Sequence, residues 1–306
     1  MSRKRSSSRT ASILSAVLAL GLLASACTQA AHSQVGNRSD PGLAKGGSKP
    51  YGYVVIGDFG KGNATEEDLA SQIEAFTGDH PFDALVTVGD NVYNSGDPAD
   101  FDAAWNEPFG WVEDKGVTVV ASLGNHDVRT DNGAPEIELF GMPGHWYKLK
   151  VGPVAFFVLD ANQPDSTEQK DWLAQALQAS KAPWKVAVFH QPAYSCGDHG
   201  STAGVQMEWV ALFEQYGVAL VLNGHDHDYQ RFAPINGVTY VVDGGGAAAP
   251  SKVGDCPEGT PDPVAHTDDQ HSFLYLSATP KKITGEAISV KSGDIIDSFK
   301  LHNQAG

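Results

Sequence analysis

Five times along this chain an apolar, strand-like run stops at a short polar motif. YVVIG leads into GDFG (Asp58), ALVTVG into GDNVY (Asp90, Tyr93) and VTVVASLG into GNHD (Asn125, His126). KVAVF leads into His190, and VALVLNG into GHDH (His225, His227). Runs such as ALVTV and VALVLN are apolar throughout rather than alternating, which is the pattern of strands covered on both faces. In open α/β sheets the carboxyl ends of the strands line the ligand crevice. One shared edge would therefore gather all five motifs, although they are far apart in sequence.

Between the runs the pattern changes to helix. Thr65 is expected to cap a helix through Phe76, and a second helix is expected over 99–115 with an interruption near Pro108. HWYKLKVGPVAFFVLDA reads as two strands joined at Gly152-Pro153. Ser166 with Gln169 three residues on forms a capping box for the next helix. A further helix is expected over 205–216. The tail (GVTYVVDGGG, SFLYLS, ITGEAISV, GDIIDSFKL) reads as β, and is expected to form a second sheet packed on the first. No linker interrupts residues 51–302, so one domain is expected there.

The motifs carry the chemistry unequally. A lone Gly-Asp after a strand is ordinarily a turn in which the carboxylate binds nearby amides. Asp-Phe-Gly also occurs at the magnesium site of kinases, but no glycine-rich phosphate loop or HRD-type loop accompanies it here. GHDH is more specific, because paired histidines at a strand end usually hold a ligand. Asp, Tyr, Asn and His together suit hard metals with some imidazole, not a thiolate zinc site. The ligands are enough for two metal ions.

In this order the motifs resemble those of the calcineurin-like metallophosphoesterases. Tyr93 three residues after Asp90, and HQPAYSCGDHG with His199 nine residues after His190, resemble the small, tartrate-resistant type of purple acid phosphatase. The resemblance covers residues 51–250. It implies an α/β fold in which a two-sheet β-sandwich is flanked by helices, with a dinuclear metal site at the C-terminal strand edge. It implies that Asp58, Asp90, Tyr93 and His227 hold Fe(III), with Asp90 bridging to a divalent Fe, Zn or Mn held by Asn125, His190 and His225. Hard anionic donors suit a trivalent ion, and neutral amide and imidazole a divalent one. The implied reaction is hydrolysis of phosphate monoesters by metal-activated hydroxide. His126 is the expected proton donor, and His199 a second donor or a clamp on the phosphate. Asp127 either orients an imidazole or caps the next turn. A phosphodiesterase or nucleotidase on the same scaffold, or a non-catalytic phosphate- or metal-binding lipoprotein, are the alternatives.

The remaining sequence bears on location and partners. Arg3 to Arg9 precede an apolar run ending at Cys27, the form of a signal peptide over 1–26. Ala24-Ser25-Ala26 fits ordinary signal-peptidase cleavage, whereas Leu23 to Cys27 resembles a lipobox that would lipidate Cys27 and attach the chain to a membrane. Residues 27–50 read as a flexible tether and 51–306 as the catalytic domain. If Cys27 carries lipid, Cys196 and Cys256 remain as a pair for a disulfide in an oxidising compartment. A net charge of −16 disfavours nucleic acid and leaves small phosphate esters as the expected partners. Arg129 and Arg231 read as solvated surface positions, with substrate contact as the alternative for each.

Overall fold

The computed structural model describes residues 49–303, within the unit Lys45–Gly306. The expected signal segment and Cys27 lie outside the described residues, as does all but the end of the tether. Among the described residues no helix is long and apolar enough to cross a membrane.

Among the described residues thirteen strands occur in chain order: β1 (Tyr51–Ile56), β2 (Ala84–Thr87), β3 (Thr118–Ala121), β4 (Tyr147–Val151), β5 (Val154–Val158), β6 (Trp184–Val188), β7 (Leu220–Asn223), β8 (Tyr229–Arg231), β9 (Thr239–Asp243), β10 (Ala265–Thr267), β11 (Ser272–Thr279), β12 (Lys282–Ser289) and β13 (Ile295–His302). They form two mixed sheets, one six-stranded in the order β13-β12-β11-β1-β2-β3 and one seven-stranded in the order β10-β8-β9-β7-β6-β5-β4. Helices cover the outer face of each sheet. One core lies between the sheets, built from Tyr53, Val86, Phe156, Val188, Leu222 and Leu274 among others. A second lies under the Thr167–Ala179 and 203–216 helices, and a third under the Ala64–Asp79 and Glu107–Asp114 helices. This is the helix-flanked two-sheet arrangement that the resemblance implies.

The tail does not make a sheet of its own. β11 pairs antiparallel with β1, carrying β12 and β13 onto the first sheet, whereas β9 joins β7 in the second. The second sheet begins as early as β4. Hydrophobic pattern identifies a strand but not its neighbour, so the tail's assignment had to come from pairing.

Local differences have similarly local causes. The first helix is capped by Asn63, not Thr65. Asn63 Oδ1 accepts from the backbone amides of Thr65 and Glu66 at 3.0 and 3.1 Å, and Glu66 reaches back to the amide of Gly62 at 2.6 Å. Ser166 caps its helix as expected, accepting from the amide of Gln169. The Gln169 side chain does not complete the box; it bonds the amide and carbonyl of Asp160, 2.7 and 3.0 Å away. Three short elements escaped the sequence reading: the Ala134–Leu139 helix, β8 and β10.

Candidate metal centre

Every motif lies within a few residues of the carboxyl end of its strand, but the strands come from both sheets. Asp58, Asp90 and Asn125 follow β1, β2 and β3 of the six-stranded sheet. His190 and His225 follow β6 and β7 of the seven-stranded one. The expected single edge is therefore a pair of facing edges, which give donors from opposite sides.

The donors meet closely. Asp58, Asp90 and His190 are buried, and each places a ligand atom within 4.8 Å of the others. His190 Nε2 lies 3.4 Å from Asp90 Oδ2, 3.8 Å from Asp58 Oδ1 and 3.3 Å from His225 Nδ1. The Tyr93 hydroxyl donates to Asp58 Oδ1 at 3.2 Å and lies 3.3 Å from His227 Nε2, which itself lies 3.5 Å from Asp58. Asn125 Oδ1 is buried and accepts no hydrogen bond. The second ring nitrogens are held from behind, His190 Nδ1 by the Val88 carbonyl at 2.9 Å and His227 Nδ1 by the Ala249 carbonyl at 3.0 Å. A carbonyl can only accept, so each Nδ1 carries the proton and Nε2 faces the centre with its lone pair.

The backbone is bent to achieve this. Asp58, Asp90 and His225 have φ of 56°, 52° and 76°, in the left-handed region that costs a non-glycine residue about 1–2 kcal/mol. A Cβ at Gly124 would collide with the Asp90 carboxylate, and one at Gly224 with that of Asp58. The glycines of GNHD and GHDH therefore serve close packing of carboxylate against backbone.

Without a metal the cluster is electrostatically unsettled. Burial, helped by the nearby Asp90, pushes the Asp58 carboxyl well above the usual range against the pull of His190. Burial opposes charge on His190, but the Asp90 and Asp58 carboxylates together outweigh it and push this histidine up to about 10. Burial and then the neighbouring His190 and His199 push His225 down to about 3.

The two expected proton donors sit at the rim. His126 donates its amide to Asp90 Oδ1 at 2.9 Å, its ring packs tilted against Tyr93 with centroids 4.5 Å apart, and its Nδ1 lies 2.7 Å from the Asn94 carbonyl. The His199 ring lies 4.1 Å from that of His225, and its Nδ1 is 3.0 Å from Asp226 Oδ1. Asp226, fully buried between the two histidines of GHDH, also accepts the His199 amide at 2.7 Å and the Ser195 hydroxyl. The sequence reading passed over it, though it stands inside the most specific motif. The expected Cys196–Cys256 disulfide is present and ties the His199 loop to the 247–264 segment. Asp127 accepts from the amides of Asn91, Val92 and Gly124 and from Asn91 Nδ2, at 2.7–3.2 Å. These contacts match neither expected role: Asp127 caps no following turn and instead ties the GNHD loop back to the GDNVY loop. Arg231 is paired with Asp297 at 2.6 Å, away from the centre. Arg129 is different: its guanidinium bonds the Asn94 carbonyl at 3.0 Å and lies 3.4 Å from His126 Nε2.

Residues 52–229 match the model of the calcineurin-like phosphoesterase family. The chain belongs to that family. As a calcineurin-like phosphoesterase it is a hydrolase of phosphoric ester bonds. It is 26% identical over 251 residues to human tartrate-resistant acid phosphatase type 5, covering 67% of this chain and 76% of that one. To purple acid phosphatase 17 of Arabidopsis thaliana it is 26% identical over 234 residues, with 64% and 68% covered. Among solved structures, the yellow lupin purple acid phosphatase PPD1 superposes with a TM-score of 0.72 at 20% identity, over 83% of this chain and 54% of that one. GAP50, the anchor in the inner membrane complex of Plasmodium, gives 0.72 at 17% identity over 84% and 90%. Both structural likenesses concern the fold.

Relatives in the family use a dinuclear metal centre, and the donors here fit one. The orphaned Asn125 Oδ1, two facing imidazole nitrogens and two buried carboxylates form a set that cations would satisfy and that hydrogen bonds alone leave incomplete. Asp58, Asp90, Tyr93 and His227 would take one ion and Asp90, Asn125, His190 and His225 the other.

Proposed function

We propose that the chain is an exported metal-dependent phosphomonoesterase with an Fe(III) on the Tyr93 side and a divalent Fe, Zn or Mn on the Asn125 side. Export through the N-terminal segment, and lipid attachment at Cys27, belong to the same proposal. The supporting observation is that a buried cluster of metal donors lies beside two imidazoles, His126 and His199, each held through Nδ1, with the Arg129 guanidinium 3.4 Å from His126 Nε2.

The metal pair supplies Lewis acidity, a water made nucleophilic near neutral pH, and a clamp on the phosphoryl oxygens. The protein's own groups manage the leaving group. His199 directs Nδ1–H at Asp226, which fixes the ring and presents Nε2 outward. His126 does the same with the Asn94 carbonyl. Each, once protonated, can give the Nε2 proton to the departing oxygen. Tyr93 against His126, and His225 against His199, help hold the two rings in place through tilted ring contacts.

The test is turnover of a phosphate monoester against its diester twin by metal-loaded protein. A clear monoester preference is expected, and a strong diester preference overturns the assignment. A visible charge-transfer band from the Tyr93 phenolate supports iron on that side; a colourless, active protein refutes it. The Plasmodium neighbour is an anchor, which keeps a binding protein as the rival reading. Phosphate binding without turnover under all metals would favour that rival.

A further inference from the structure

On a chain of net charge −16, two cations stand against the metal centre without a carboxylate partner among the described residues. Lys115, Lys170, Arg231 and Lys252 are ion-paired. Arg129 instead bonds the Asn94 carbonyl at 3.0 Å and lies 3.4 Å from His126 Nε2. Lys61 stands over the Tyr93 ring, its Nζ 3.6 Å from the centroid. The Tyr93 and His126 rings pack against each other, tilted by 53° with centroids 4.5 Å apart, so both cations flank one aromatic pair. A single imidazole separates the guanidinium from Asp90, whose Oδ2 is 3.9 Å from His126 Nε2.

We propose that Arg129, with Lys61 as its companion, forms an anion subsite beside the metal centre, which makes the preferred substrates phosphate esters that carry a second anionic group on the leaving side. The inference rests on the phosphomonoesterase reading and deepens it. A guanidinium has five N–H donors in a planar fork, and the two contacts of this exposed side chain leave three unused. That fork matches a carboxylate or phosphate with two parallel bonds, which a lone ammonium does not. A phosphoryl group seated on the metals puts its leaving oxygen over His126, and whatever that oxygen carries then meets Arg129. A leaving group with no charge leaves the fork in water and gains nothing from it. One with a carboxylate or second phosphoryl group gains a charge-assisted pair, and Lys61 adds to the local positive potential that the acidic surface lacks.

The experiment measures kcat/KM of the metal-loaded protein on phenyl phosphate and on 3-carboxyphenyl phosphate. Wild type is expected to prefer the carboxylated ester by about three- to fivefold, the effect of one exposed charge-assisted pair. Arg129→Gln is expected to remove the preference, Arg129→Lys to keep part of it, and Lys61→Gln to reduce it. Equal rates on the two esters in wild type, or a preference that survives Arg129→Gln, overturn the subsite. If neither ester is hydrolysed, the phosphomonoesterase reading has failed, and calorimetry of pyrophosphate against orthophosphate then decides the subsite by itself. Tighter pyrophosphate binding that Arg129→Gln abolishes supports it; equal affinities, or a difference that persists in Arg129→Gln, refute it.

Discussion

Asp90 is the residue on which the candidate centre turns, because it lies against His190, accepts the His126 amide and occupies a backbone conformation that only a specific loop supports. Asp90→Ala removes the shared bridge. Metal analysis of the purified variant is expected to find both sites depleted, and two ions retained per chain would contradict the assignment. Asp226 supplies a second test. It holds His199 without pointing at the metals, so Asp226→Asn is expected to keep both ions and lose about 10–100-fold in kcat, as removal of an orienting partner does. His199→Ala and the double variant should then cost about the same, since the two side chains act as one unit. The seven ligand candidates were legible because each motif interrupts a hydrophobic run with residue types that cores avoid. Asp226 was not, because an acid flanked by two histidines is read as spacing between them. Arg129 was legible only as one of two arginines that could reach substrate: what singles it out is the fold of the Asn94 loop, three dozen residues away in sequence.

At the scale of elements, strands were legible wherever apolar runs were continuous, as in β2, β6 and β7, whose residues are almost all buried. β8 and β10 have three residues each and polar sequences, so no period marks them. Pairing was the larger gap. Nothing in SFLYLS states that it lies beside YGYVVI rather than beside GVTYVVD; the register between β1 and β11 is set by packing of both faces. Cysteine arithmetic did reach a long-range contact. The Cys196–Cys256 bond closes a loop of sequence separation 60 across segments with little regular structure. Cys196→Ser is expected to lower unfolding free energy by about 2–4 kcal/mol, measured by denaturant titration. It should also loosen the loop that carries His199, so the activity loss should exceed what the lowered stability alone predicts at 25 °C. Unchanged stability would mean that the bond constrains nothing in the unfolded chain.

For the molecule as a whole, buried acids set the response to pH. Burial pushes Glu66, at the start of the Ala64–Asp79 helix, and Asp228, after GHDH, up to about 8 from ordinary carboxyl values. Below about pH 4 both are protonated folded and unfolded, and they cost nothing. Between there and about pH 8 the unfolded chain releases its protons while the folded one keeps them, so stability falls as pH rises. Above about pH 8 the loss is complete. Denaturant midpoints are expected to be higher at pH 5.5 than at pH 8, with Glu66→Gln flattening the slope; a midpoint that rises with pH would contradict the burial argument. The candidate centre obeys a different constraint, because its donors hang from facing sheet edges and no backbone hydrogen bond joins β2 to β6. Side-chain packing and one crossing hydrogen bond, from His190 Nδ1 to the Val88 carbonyl at 2.9 Å, set the distance between Asp90 and His190. A slight slippage of one layer over the other would open the coordination cage while every strand remained paired. Warming should thus release metal and silence the enzyme well before circular dichroism registers any melting, and bound ions should act as rivets across that seam.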